Sequence, residues 1–346
     1  MAGIISVAGI LVIPPPPKSP EPVERPSMAS VDWIGAILVT GGLFTLLFAL
    51  TEGNGVGWAT PWIPVLIVVS LLVIVAFGFW QHHIETRRPD KAPLIKVSMF
   101  KNLRLTAVMV IMAMSFASFN CFIIFATYYF QDFQDLSPLQ TMLRFIPTGV
   151  CGAIVAAIVA QLLHWVPTVF IMASGNIAVS AACILFAVPI PPSTSYFAWG
   201  LPAMILSVIG ADTAWPSLTL FTSAALSPKD QAIGGALINA MGQLGRSIGL
   251  AISTAIQTSV MASDRGVSVK DVGPPLAWDS STLKGIRAAN WMNFGFGMIA
   301  LATTVAAFRT MDIVGKADPA KKKRAGGGEE GVMDQEEPTA TAEARK

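Results

Sequence analysis

Eight stretches of this chain run for roughly 20 residues or more with almost no charge, which is the length a helix needs to cross the hydrocarbon of a bilayer. They lie at about 33 to 51, 61 to 80, 105 to 130, 139 to 163, 168 to 190, 197 to 222, 231 to 258 and 288 to 308. Every backbone group in lipid must find its partner inside its own segment, and a barrel strand would be only about 10 residues of alternating character. The expected fold class is therefore all-α, a polytopic membrane helix bundle with the lipid bilayer as its surroundings.

The charges agree with that reading. Only 13% of the 346 residues are charged, against about 25% in soluble domains, too few to coat a water-soluble protein of this size. Of 23 Lys and Arg and 21 Asp and Glu, only Arg144, Asp212 and Arg246 fall well inside a span, with Asp32 and Asp230 at the edges. Loops on one side hold 17 Lys and Arg, and those on the other hold 4. The positive-inside rule puts the richer side, and with it the C-terminus, in the cytoplasm. The near-balance of charge offers no footprint for nucleic acid.

The ends read differently from the spans. Residues 3 to 13 are half a span long and run into four prolines, with no basic n-region or cleavage site, so residues 1 to 13 read as the remnant of a severed membrane helix. Residues 14 to 31, rich in Pro, Glu and Ser, read as a cytoplasmic linker, and 309 to 346 as a disordered cytoplasmic tail carrying Lys321 to Arg324. That basic cluster serves as a stop-transfer charge or a contact for anionic headgroups.

Asp212 is the residue hardest to explain by packing. It sits about 15 Å from the inner end of its span, where an ionisable group costs a few kcal/mol and should face a cavity or a partner. Pro216 cannot donate to the Asp212 carbonyl, so the helix should be broken there. Two readings follow, a proton-titrating or substrate-contacting acid, or an acid neutralised by a structural partner. Arg246 lies at similar depth in the next span; it either pairs with Asp212 or faces the cavity alone to bind anionic groups. Around it Gly235, Asn239, Gly242, Arg246, Gly249 and Ser253 recur at helical spacing, and Gly245 with Gly249 forms G-x-x-x-G, read as helix packing. Asn239 is the polar cavity candidate on that face.

Arg144 is close enough to its span end to snorkel outward, with Asp132 and Asp135 in the adjoining loop. A rim salt bridge is the default, an outer-rim gating contact the sharper alternative, and Pro147 should bend the helix behind it. Other patterns carry no chemistry. Gly245 to Gly249 matches G-x-S-x-G but lies mid-helix without a base, the pair His82 and His83 reads as interfacial, and Cys121, Cys151 and Cys183 read as small core residues. No nucleotide or zinc motif is present, so no metal, no cofactor and no enzymatic role is expected.

Several segments together resemble the major facilitator superfamily, and more narrowly its 14-span drug:proton antiporter branch of the fungal aminotriazole-resistance type. They are Asp32 to Ala36, Tyr128 to Gln131, Leu136 to Leu139, Leu143 to Pro147, Gly210 to Pro216 and Gly245 to Leu250. The resemblance implies that 32 to 80 are two extra membrane helices and 105 to 308 the C-terminal six-helix transporter half, made of two three-helix repeats. It implies alternating access and proton-coupled export of small amphipathic compounds, with a small-molecule substrate and protons as partners, at the plasma membrane. Asp212 would be the proton-coupling acid. The resemblance further implies that the half preceding the linker helices is missing apart from residues 3 to 13, so that the chain is expected to be truncated and inactive on its own. A small ion or nutrient such as ammonium as substrate, or a non-transporting remnant, are the alternatives.

Overall fold

A computed structural model describes residues 32–58, 60–87, 93–163, 165–227 and 230–308. The severed-helix, linker and tail segments, and Lys229, lie outside the described residues. Among the described residues eight α-helices follow one another: α1 (Trp33–Val56), α2 (Trp62–Arg87), α3 (Leu103–Tyr128), α4 (Pro138–Leu162), α5 (Thr168–Ala187), α6 (Tyr196–Ala225), α7 (Gln231–Arg265) and α8 (Ser280–Phe308). A π-helical turn, Tyr129–Phe133, extends α3. No strand occurs among the described residues.

Seven of these helices are long and apolar enough to cross a membrane. The exception is α7, longest at 35 residues, which the sequence reading counted as an eighth span. Gln243, Arg246, Gln257 and a run of glycines lower its hydropathy, while the bundle shelters its inner face. The last span also begins earlier than expected, at Ser280 rather than 288. Both prolines expected to break helices are accommodated instead, because α4 runs through Pro147 and α6 through Pro202 and Pro216 without interruption. Each removes one backbone bond, and neighbouring turns hold the helix.

The bundle is built around α3, which packs on α5, α6, α7 and α8. Small residues let it approach closely. A side-chain carbon added at Gly249 would lie 2.8 Å from Ala117, one at Gly242 would lie 3.3 Å from Met112, and one at Gly245 would collide with the Ala113 backbone. Gly235 faces open space, so this packing seam uses three of the four glycines read from the sequence. Inside the seam runs a polar core. Ser115 donates to Asn176 at 2.7 Å, Asn176 to Thr304 at 3.2 Å, and Ser253 to Asn293 at 2.7 Å, tying α3, α5, α7 and α8 together. In an apolar solvent such side chains are satisfied only by one another. Cys121 and Cys183 are buried in the core, and Cys151 is half-buried.

The alternation of ends is visible in the contacts. Lys96 pairs with Asp230 at 2.9 Å, joining the α2–α3 and α6–α7 connections at what we call the basic end. At the opposite end the Trp278 amide donates to the Phe133 carbonyl at 2.9 Å, and Arg287 to the Ile190 carbonyl at 2.7 Å.

There too Arg265 bonds Asp279 at 2.7 Å, which with the Thr282 contacts holds the Asp279 carboxyl at about 2. A carboxyl lowered from an unfolded value of about 3.9 stabilises the fold above that pH and stops doing so as pH falls through about 2. Acid titration between these limits is expected to loosen the α7–α8 connection, seen as faster hydrogen exchange there. An Asp279→Asn protein should lack that acid step.

Asp32 fixes the α1–α2 hairpin. Its buried carboxylate caps α1 by accepting from the Gly35 amide at 2.9 Å, and it also accepts from the Trp80 indole at 2.9 Å and the Gln81 amide at 2.6 Å. Gly35 is required because an added carbon would overlap Asp32 and Gln81. The Asp-Trp-x-Gly opening of this span is thus a helix cap that doubles as an interhelical clasp. Asp32→Ala should cost about 3 kcal/mol, from a lost cap and two donors, one buried and one half-buried, left unpaired, and Asp32→Asn less. Thermal unfolding in detergent measures both.

Candidate functional site

The site grows out of the way α5 grips α6. Gly175 and Gly210 let these helices touch, and a side-chain carbon at Gly210 would come within 2.6 Å of Val179. Thr213 lies against Gly175 and donates to the Ile209 carbonyl at 2.7 Å. With Gly210 and Thr213 turned to α5, helical periodicity directs Val208, Ala211, Asp212 and Trp215 the other way. These four form one wall of a groove of ≈ 550 Å³ whose other walls are α3, through Phe116 and Phe119, and α4, through Thr148 to Ala156. Gly152 makes the floor, since a carbon added there would lie 3.1 Å from the Asp212 carboxylate.

Asp212 lies near the middle of a 30-residue helix, about 24 Å from its start and about 20 Å from its end at 1.5 Å per residue. Among the described residues it has no hydrogen bond and no ion pair; the three ion pairs found there lie near helix ends or in connections. The Thr148 hydroxyl on the facing wall is buried, also without a partner. The Asp212 carboxylate therefore faces a groove otherwise walled by aromatic and small side chains, with the Thr148 hydroxyl sealed inside its wall and Phe116 and Trp215 in ring contact at 5.4 Å. A carboxyl group here can hold or release a proton, and aromatic faces accept apolar or cationic compounds.

The pairing of Asp212 with Arg246 is not formed. Their depths match as expected, but α3 stands between α6 and α7. Phe116 contacts Trp215 on one side and lies 3.7 Å from the carbon a side chain would add at Gly242 on the other. A short α6–α7 connection brings helix ends together, not their midpoints. Arg246 is exposed on α7. Asn239, also exposed, donates to the Gly235 carbonyl one turn back at 2.9 Å. The expected single face of α7 is divided between buried glycines and these exposed polar side chains.

The rim salt bridge is likewise absent. Arg144 donates to Gln134 at 2.6 Å and lies over the rings of Phe130, at 4.8 Å, and Tyr196, at 5.3 Å. Tyr196 donates back to the Arg144 carbonyl at 2.7 Å. Two features divert the carboxylates. The π-helical turn carries Asp132 into the helix rather than a loop, and Asp135 is exposed with φ 55°, at the sharp entrance to α4. Ser137 then starts α4 with a reciprocal cap to Gln140 and a proline in the first turn. The aromatic-rich segment before it is a structural plug, in which Tyr129 meets Phe186 at 5.4 Å and Trp199 at 5.2 Å.

Sequence reasoning passed over Thr148, Phe116, Trp215 and Gly152 because each is unremarkable in its own segment. It also passed over Asn176, Asn290 and Asn293, although isolated amides inside apolar runs were a readable signal. Among the described residues no cluster of three or more His, Cys, Asp or Glu is placed to hold a metal.

Residues 22–250 match the family model described as Major Facilitator Superfamily. Among similar proteins are the low affinity ammonium transporter of Saccharomyces cerevisiae, 27% identical over 88% of this chain and 54% of that protein. The efflux pump terJ of Aspergillus terreus is 24% identical over 94% of this chain and 58% of its own length. The aminotriazole resistance protein of Saccharomyces cerevisiae is 24% identical, over 78% of this chain and 46% of its own. The chain spans about half the length of the curated relatives it matches.

Proposed function

Because the chain belongs to the major facilitator superfamily, we propose that its groove between α3, α4 and α6 is the substrate side of a proton-coupled exporter of small amphipathic compounds, with Asp212 as the titrating acid. One observation carries this reading: a carboxylate at mid-helix depth that no described residue neutralises, set among aromatic side chains. A structural acid would be satisfied by its neighbours, as Asp32 is. In this reading α1 and α2 are the linker helices of the 14-span branch, and α3 to α8 are the C-terminal half. The helices alternate so that the basic end faces the cytoplasm, the C-terminus included, and the plasma membrane is the site of action. Arg246, exposed on α7, is available to anionic groups, Asn239 is a polar contact on the same helix, and Arg144 is an outer-rim gating contact.

The similar proteins that are named an efflux pump and a resistance protein support export. The one named an ammonium transporter supports a second substrate reading, a small cation. A transport assay separates them. The chain, together with the segment that precedes it in a full-length relative, is reconstituted in vesicles with an imposed pH gradient. Gradient-dependent movement of a fluorescent amphipathic dye, insensitive to ammonium, is the expected result. Ammonium movement without dye movement would replace the export reading, and neither movement would remove it.

A further inference from the structure

The geometry points to a second, separate binding site, for a primary alkylammonium, in a cavity of ≈ 290 Å³ at the opposite end of the bundle from the basic loops. Its walls are Tyr128 and Asp132 from the end of α3, Thr254, Gln257 and Met261 from α7, with Gly273 and Pro275 of the α7–α8 connection closing one side. Tyr128 and Asp132 stand four residues apart at the π-helical turn, and Thr254, Gln257 and Met261 share one face of α7.

Three independent features make this a site rather than a crevice. Asp132 has no ion pair among the described residues, since the nearby arginines are engaged elsewhere, Arg144 by Gln134 and Arg287 by the Ile190 carbonyl. Gln257 is only 5% exposed, yet its side-chain amide has no hydrogen bond among the described residues and is not a sealed orphan, so its polar atoms open onto the cavity. The Tyr128 hydroxyl has no hydrogen bond there either. The lining thus offers a carboxylate, an amide oxygen and hydroxyl oxygens, with no cation.

Those acceptors call for a cation that donates. A primary ammonium brings three N–H donors for the carboxylate, the amide oxygen and a threonine or tyrosine oxygen, and charge-assisted bonds of this kind are the strong ones. A divalent metal is the poorer match, because it seeks six or more oxygens and usually several carboxylates. The space exceeds the ~30 Å³ of one water severalfold, and Met261 gives an apolar wall, so a short alkyl chain fits behind the ammonium. The site stands on this cavity alone and holds whether or not the groove around Asp212 exports anything.

Equilibrium dialysis of radiolabelled butylammonium against the purified chain in phosphatidylcholine nanodiscs tests it. Saturable binding is expected, displaced by propylammonium but not by tetramethylammonium, which has no N–H. Asp132→Asn should weaken it by about tenfold or more and Gln257→Leu by a few-fold, with the elution profile on size exclusion unchanged. Asp212→Asn should bind as the parent does, which separates this site from the groove. If Asp132→Asn does not fold, the Gln257→Leu result decides. Absence of saturable binding, equal displacement by tetramethylammonium, parental affinity in Gln257→Leu or in a folded Asp132→Asn, or loss only in Asp212→Asn overturns the proposal.

Discussion

An Asp212→Asn protein is expected to fold at least as well as the parent and to lose gradient-driven transport. The two halves of that result have opposite signs, which is what makes it informative. A charge at this depth costs a few kcal/mol on insertion scales, and no described residue repays it, so the neutral amide should raise stability by about 1 kcal/mol. Transport that relies on a proton moving on and off this side chain should fall to background, because an amide cannot titrate. Thermal unfolding in detergent and dye movement in vesicles with a pH gradient supply the two readings. If Asp212→Asn instead lowers stability by the roughly 3 kcal/mol typical of breaking a buried ion pair, the acid is a structural element. Retained transport with unchanged pH dependence would remove it from the coupling step.

A Gly245→Val substitution should be the most damaging change in the bundle interior. The added carbon would meet the Ala113 backbone, and backbone inside a helix cannot swing aside as a flexible side chain does. Relief requires α3 and α7 to separate, which also strains the Ser253 to Asn293 hydrogen bond at 2.7 Å. A loss of about 3 kcal/mol or more is expected, at or beyond the upper range of overpacking effects, seen as a lower unfolding temperature and poor recovery of monodisperse protein. Gly235→Val, on the same helix but facing open space, should change little. Equal effects at both positions would show that helix propensity, not the α3–α7 contact, sets the cost.

How much was legible in the sequence is clearest from single residues. Asp212 was legible because one carboxylate in a 20-residue apolar run stands out against a uniform background, and depth follows from counting along a helix. The glycines of α7 were legible as a packing stripe by their spacing, though spacing did not exempt Gly235. Arg246 and Arg144 were legible as candidates, but their partners were not. Arg246 was matched to Asp212 by depth in consecutive spans, and Arg144 to the carboxylates of the adjoining loop. The fold instead interposed Phe116 in one case, and in the other offered Gln134, Phe130 and Tyr196. Asp132 shows the same gap. One extra residue in a π-helical turn leaves it beside Gln257, which is more than 120 positions away in the chain and invisible as a neighbour.

The amino-acid order by itself determined that this chain is a bundle of membrane-crossing helices with alternating ends, because burying backbone in lipid leaves one local solution per segment and charge is too costly to hide by accident. It also determined which few polar groups must be explained. Only the tertiary structure decided which helix stands between which, and hence that Asp212 faces a groove rather than Arg246, that Arg144 rests on aromatic rings, and that Asn176 and Asn293 join serine and threonine partners in the inner polar core. Those outcomes depend on helix neighbours and rotation, set by close contacts such as Gly175 with Thr213 and Gly245 with Ala113. Contacts of that kind join positions far apart in the chain, and no local pattern encodes them.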